Sequence, residues 1–351
     1  MPKVNTRKMY PQFNDFSFLV QGSITKNGKI DPEMIKYLFR MRKQYPLNDI
    51  LVSCWEVSNN DEFYLRKLST KYNIDFLFNK DPGCFSKSYR GVNYNCNLNR
   101  MIVSTRNGIL KSKSEYIIKL RSDSFFASDK IHAYLNEYYK SINNSLLRDS
   151  AYSIFEERII NCNLFARNPR SYLPYLFHPG DIMLIGKKGD LFKLFDVELA
   201  DENIFQSYRR TYFFTMMKLV PEQYLWVNCI NKSRIYNVYE SNEEFTEKKI
   251  IESEKFYVNN FYVLEPNDVD FIWPKHSELY QNKGKYSVYD SVDWYNLYKK
   301  YILLSGDREI KKRIFRSLVI SFMKLYFFIR TNLMRVPFLR KLAIKFFNKR
   351  N

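Results

Sequence analysis

Four polar residues of this chain stand where apolar runs break off: Gln21, Glu56, Asp81 and Asp123. Asp123 has the sharpest setting. Tyr116, Ile117, Ile118 and Leu120 make a short apolar run, which ends in Arg121, Ser122 and Asp123. Such a run reads as a strand buried on both faces. Carboxylates at the carboxyl ends of buried strands sit where open α/β sheets hold ligands. One carboxylate there suits a hard divalent ion, Mg²⁺ or Mn²⁺, shared with phosphate oxygens, and the ion would act as a Lewis acid on a leaving phosphate. Arg100 and Arg121 would add charge to the same phosphates. The competing reading of Asp123 is a helix cap, and of each arginine a structural ion pair.

Further candidates lie downstream. Glu222 follows Pro221 at the start of a helix over 221–230, where the dipole favours an acid in any case. As a general base it would have to reach an acceptor hydroxyl. His178 and Asp181, in the HPGD turn at 178–181, are alternatives for that role, or simply shape a turn. Asp81 sits in a D-P-G turn, where its carboxylate suits a nucleobase or ribose hydroxyl.

The elements that position these residues follow from the pattern. Apolar runs at 16–24, 49–56, 74–78 and 115–124 read as strands, and 32–44, 60–72 and 97–111 as helices. Asp31 and Pro32 form a helix start. A polar loop is expected over 84–95. This is β-α-β-α-β-loop-α-β, which predicts a parallel sheet with right-handed crossovers. Beyond it, 130–140, 189–195 and 221–230 read as helical, while 160–166, the end of 172–185 and 256–263 read as extended.

The totals narrow the function classes. With 10 glycines there is no GxxxxGK[ST] or GxGxxG loop. Five widely spaced cysteines without a CxxC read as reduced thiols of a cytosolic protein. The first residues lack an apolar signal core, so no secretory signal is expected. The net charge of +19 calls for an anionic partner. Residues 308–350 hold 13 Lys or Arg and one acid, about +12 of that charge. Large apolar side chains alternate with them, and Pro337 divides the segment. That pattern predicts two amphipathic helices lying on an anionic membrane face, too interrupted to span it. No nucleic-acid motif accompanies the charge, so nucleic acid is not the expected partner.

VQGSI at 20–24, DPG at 81–83, the block 97–124, LFHPGDIMLIG at 176–186 and PEQYLW at 221–226 together resemble the WavE lipopolysaccharide synthesis family. The resemblance spans about 13–235. It implies a GT-A-like glycosyltransferase domain over 1–300, with a nucleotide-binding half at 13–126 and an acceptor half at 127–300, followed by basic helices at 301–351. It further implies a nucleotide-sugar donor and a lipid-linked bacterial surface glycan as acceptor. The expected location is the cytoplasmic face of the inner membrane, held peripherally. By likeness Asp123 takes the place of the metal-binding aspartate, although Ser122-Asp123-Ser124 stands where many such enzymes show D-x-D. Gln21, Gly22, Glu56, Asp81, Asn97, Arg100 and Arg121 are the candidate nucleotide-sugar contacts, and Glu222, Asp181 and His178 the candidate catalytic groups.

Overall fold

The computed structural model describes residues 10–89, 92–209, 213–275, 284–305 and 314–348. In chain order, β1 (Phe16–Gln21) leads through the short pair β2 (Thr25–Lys26) and β3 (Lys29–Ile30) into α1 (Pro32–Gln44). Next come β4 (Ile50–Trp55), α2 (Asn59–Tyr72), β5 (Asp75–Asn79), β6 (Phe85–Tyr89), β7 (Val92–Cys96), α3 (Leu98–Lys111) and β8 (Tyr116–Arg121). The chain continues as β9 (Phe125–Phe126), α4 (Lys130–Glu137), β10 (Ile159–Cys162), β11 (Met183–Lys187) and α5 (Lys188–Phe195). Then follow β12 (Tyr208–Arg209), β13 (Phe214–Thr215), α6 (Pro221–Arg234), α7 (Glu247–Asn260), β14 (Phe261–Leu264) and β15 (Phe271–Ile272). Three helices close the order: α8 (Ser291–Tyr301), α9 (Ile314–Leu333) and α10 (Pro337–Asn348).

Local chemistry starts these elements where the sequence says they should start. Asp31 accepts from the Glu33 N–H and Pro32 opens α1; Ser58 caps α2 through Asp61. Seven strands form one sheet in the order β14-β10-β11-β8-β1-β4-β5. β1 pairs in parallel with both β4 and β8, and β4 with β5. β11 is antiparallel to β8 and to β10, while β10 and β14 are parallel. Six strands therefore share a direction and β11 alone runs against them. The protein is α/β, with a mostly parallel sheet between helical layers. β10, β11 and β14 extend the same sheet that β1, β4, β5 and β8 begin.

Side chains alternate into two cores. One face of the sheet packs Leu19, Ile117 and Leu184 against α3, α5, α6, α7 and α8. The other packs Phe18, Val20, Ile118 and Leu120 against α1, α2 and α4. Every residue of β1 is buried.

The structure departs from the sequence reading in two places near the site. The described residues of the expected 84–95 loop are mostly extended: β6 and β7 pair antiparallel, with Phe85 opposite Cys96 and Tyr89 opposite Val92. Phe85, Tyr89, Val92 and Tyr94 recur at period two within polar neighbours, which is a strand pattern with one packed face. Residues 256–263 are also not a strand throughout. α7 runs to Asn260, capped by Thr246 and buried through Ile250, Phe256 and Tyr257, and only 261–264 is extended. Burial of one helix face outweighed the strand propensity of its aromatics.

α9 and α10 are helical on either side of Pro337, as their pattern predicts. Arg308, Lys311, Lys312, Arg313, Lys349 and Arg350 of the basic segment lie outside the described residues. α9 is fastened by Arg316, which pairs with Asp290 and with Asp293 (2.8 Å) at the start of α8, and by Phe327 stacked on Tyr172 (5.6 Å).

Candidate active site

The carboxyl ends of β1 and β8 lie side by side, with Gln21 opposite Arg121. Beyond them the backbone turns tightly. Gly22 adopts φ +124°, and a Cβ there would meet the Ser122 hydroxyl at 3.1 Å, so this turn requires glycine. The Ser122 hydroxyl donates to the Ser23 carbonyl (2.6 Å), locking the two turns together. A cleft of about 330 Å³ opens over them, lined by Gln21, Gly22, Lys26, Arg121, Asp123 and Lys275 among others. Gln21 donates from Nε2 to the Ser104 hydroxyl on α3 (2.8 Å), so its amide anchors β1 to the helix beneath.

A second cleft, of about 340 Å³, adjoins the first at Arg121, which lines both. Its wall includes Arg167, Tyr175, His178, Asp181, Glu222 and Trp273. Glu222 stands in the first turn of α6. His178 Nε2 lies 3.4 Å from the Glu222 carboxylate, and His178 Nδ1 is buried with no hydrogen-bond partner among the described residues. Burial raises the Glu222 carboxyl, but the charge and hydrogen bond of His178 outweigh it and hold the group down at about 2. The HPGD loop that carries His178 is held from below. Asn161 donates to the Pro179 carbonyl (2.6 Å), Gln223 to the Leu176 carbonyl (2.7 Å), and Gly180 turns at φ +80°.

The three catalytic candidates thus meet in one cleft, yet they differ in what is left for substrate. Asp181 is buried and serves Lys119, whose ammonium donates to the Asp181 carbonyl and approaches its carboxylate at 3.4 Å. Lys119 is itself fully buried, and desolvation lowers its pKa. Glu222 is the partly exposed acid of the three. Lys119 is absent from the sequence candidates, although its signal is plain: it is the one charge inside the run YIIKL. Lys275 and Arg167 carry no such local mark.

Asp123 is placed at the cleft with both of its carboxylate oxygens paired. Arg121 donates to both of its oxygens (2.9 and 3.0 Å) and Lys275 reaches the second at 2.7 Å. Burial pushes this carboxyl up, but Arg121, then Lys275, hold it well below the usual carboxylate range. Among the described residues no three His, Cys, Asp or Glu side chains converge. A hard dication needs several anionic or carbonyl oxygens, whereas this carboxylate is already neutralised by two cations. The donor set present does not fit Mg²⁺ or Mn²⁺ without displacement of Arg121 and Lys275.

The remaining nucleotide candidates fall outside both clefts. Asp81 and Arg100 form a two-pronged ion pair (2.8 and 2.6 Å), and Arg100 also reaches Asn97 Oδ1 (3.1 Å). The guanidinium of Arg100 holds the Asp81 carboxyl below its usual range. This trio ties the end of β5 to the start of α3. Glu56 is exposed just past β4, where its N–H donates to the Asn79 carbonyl (3.0 Å).

Residues 16–327 match the family described as WavE lipopolysaccharide synthesis. The chain belongs to that family. The description of that family ties the chain to lipopolysaccharide synthesis. No curated protein matches the chain. Among solved structures, the bifunctional IspDF from Campylobacter jejuni is 13% identical, with a TM-score of 0.30 over 53% of this chain and 44% of that one. The mannosyltransferase PcManGT from Pyrobaculum calidifontis, in complex with GDP-Man and Mn²⁺, is 11% identical (TM-score 0.30; 54% of this chain, 52% of that one). S. aureus TarS 1–349 is 10% identical (TM-score 0.31; 92% and 81%). The chain thus spans about half the length of the first two. In this WavE chain the matched segment includes both clefts and most of α9, and it extends well past the segment that carries the sequence resemblance.

Proposed function

We propose that the enzyme transfers a sugar from a nucleotide diphosphate sugar to a lipid-linked bacterial surface glycan, while held on the cytoplasmic face of the inner membrane by α9 and α10. The observation that carries this reading is the position of Arg121, which lines both clefts. In the first cleft, Arg121 and Lys275 form a cationic wall above the glycine turn, suited to a diphosphate. In the second, Glu222 accepts the proton of the acceptor hydroxyl, with His178 fixing its carboxylate. The acceptor oxygen then bonds to the anomeric carbon as the bond to the diphosphate oxygen breaks. The negative charge developing on the diphosphate falls beside Arg121, which is partly buried and held in place by Asp123. Asp123 acts through Arg121 and Lys275, holding both cations in place. Asp181 and Lys119 form the floor beneath.

Membrane association is read from α9. No described helix is long and apolar enough to cross a membrane. On α9, Phe315, Leu318, Phe322, Leu325, Tyr326, Ile329 and Leu333 are exposed at helical spacing along one face, next to a segment rich in Lys and Arg. An apolar stripe of that length flanked by cations suits an anionic bilayer surface.

Thermal-shift measurements against UDP-, GDP-, CMP- and ADP-sugars test the donor side. At least one should stabilise the protein, and Arg121→Met should abolish that shift. If none stabilises the unmodified protein, the transferase assignment of the first cleft fails.

A further inference from the structure

A third cavity, of about 300 Å³, lies between the β6–β7 hairpin, the β12–β13 pair and the inner sides of α9 and α10. Its walls are mostly aromatic, with Tyr94 and Phe213 prominent, but three guanidinium groups also line it: Arg209, Arg330 and Arg340. No acidic side chain does so among the described residues. Arg209 is committed to the wall, donating to the Thr331 carbonyl on α9 (2.6 Å). Arg330 lies over the Phe327 ring (5.6 Å). Guanidinium groups set among aromatic rings, without a carboxylate, suit a ligand that joins an anionic oxygen cluster to hydrocarbon.

Two features of position narrow the ligand. Tyr175 lines this cavity and also the cleft that holds Glu222. Its ring lies 5.6 Å from His178 on one side and 4.8 Å from Phe213 on the other. The cavity and the cleft of the His178–Glu222 pair therefore adjoin at the Tyr175 ring. The second feature is the wall itself. The helix whose inner side carries Phe327, Arg330 and Thr331 exposes Leu318 and Phe322 on its outer side, at 64% and 67%. Hydrocarbon reaching that outer face would lie within one helix diameter of the cavity.

We propose that this cavity binds the phosphate-bearing end of the lipid-linked acceptor. The phosphate pairs with Arg330 and Arg340, the first methylene groups pack on Phe213 and Tyr94, and the glycan passes Tyr175 toward Glu222. The proposal rests on the transferase reading above and adds to it the acceptor's chemical class, a lipid phosphate. It assigns α9 two jobs: its outer face meets the membrane and its inner face holds one lipid headgroup.

A short-chain lipid phosphate, soluble as a monomer, separates these jobs because it requires no membrane. Dihexanoyl phosphatidic acid below its micellar concentration should bind the full chain, and binding should weaken as salt rises. Dihexanoyl phosphatidylcholine and inorganic phosphate, at equal concentration, should bind at least about tenfold more weakly. The pair Arg330→Glu and Arg340→Glu should reduce phosphatidic acid binding by about tenfold or more. Arg330→Gln with Arg340→Gln, which removes charge without reversing it, should reduce it less and guards against misfolding. The charge-matched pair Lys36→Glu and Lys43→Glu on α1 should leave it unchanged. The proposal is overturned if the soluble lipid phosphate does not bind, if inorganic phosphate binds as well, or if the α1 pair weakens binding as much as the arginine pair. The nucleotide-sugar shift is measured on the same variants. Its persistence with no lipid effect removes the acceptor site alone; its absence from the unmodified protein removes the transferase reading instead.

Discussion

β1 and α9 are both strongly apolar, and the molecule treats them in opposite ways. Every residue of β1 is buried between two helical layers, whereas α9 has no buried residue and displays most of its large apolar side chains outward. Apolar content says only that a surface must be covered. The sheet is covered by its own chain. α9 is held down by a few polar and aromatic contacts, Arg316 and Phe327 foremost, and leaves a broad stripe for something else. Patches of that kind mark interaction surfaces. On the proposed reading the two regions divide the labour: the sheet edge holds the chemistry and the tail places it.

The contrast is broken or sharpened by substitution on each side. The largest effect belongs to the sheet edge. Glu222→Gln should lower transfer by roughly 10²–10⁴-fold, the usual worth of a general base, with liposome binding intact. Transfer at the original rate would remove Glu222 from the base's role. Next in size is the pair Leu318→Ser and Phe322→Ser. Losing two apolar anchors of about 1.5–3 kcal/mol each should weaken binding to anionic liposomes by about a hundredfold or more without moving the melting temperature. Leu19→Ala in β1 should do the reverse, costing about 2–5 kcal/mol of stability without touching liposome affinity per folded molecule. If the α9 pair lowers the melting temperature as Leu19→Ala does, the stripe is part of the core after all.

Smaller effects test the ionic design. Glu222 is held at about 2 against an ordinary 4.5. A depressed carboxyl contributes stability that is full above its unfolded value and is lost as pH falls toward the folded one. His178→Ala should therefore shift the acid limb of the transfer–pH profile to higher pH and flatten the stability loss between pH 4.5 and 2. An unmoved limb would separate His178 from Glu222. The smallest change is expected from chelation. Since Asp123 is already paired with Arg121 and Lys275, the nucleotide-sugar shift should be the same in EDTA as in Mn²⁺. Strict dependence on Mn²⁺ would mean that the ion displaces both cations.

Legibility varied with the range of the interaction. The strand run at 116–120 and the polar stops at 21 and 123 were readable because a buried strand and its end are properties of neighbouring residues. The hairpin at 85–96 shares that local signal at lower strength, since its polar residues dilute the alternation. His178 and Glu222 were readable as types but not as partners. They are brought together only because Asn161, Gln223 and Gly180 hold the HPGD loop over the start of α6. Asp81, Asn97 and Arg100 look as promising in sequence as Arg121 does, yet they close on one another away from both clefts.

By itself, then, the sequence determined the alternating strands and helices, the polar ends of the strands, the basic amphipathic tail and, through its motifs, the family. Periodicity, capping and composition act over a few residues, so they are written locally. Only the tertiary structure decided which carboxylates are taken up by lysine and arginine and which keeps a face toward a cleft. Lys275 returns from far along the chain to occupy Asp123, and Lys119 occupies Asp181 from 62 residues away. Glu222 meets an imidazole and keeps a face toward the cleft. The physical reason is that a carboxylate's role depends on its counter-ions and burial, and both are set by residues that chain order does not place beside it.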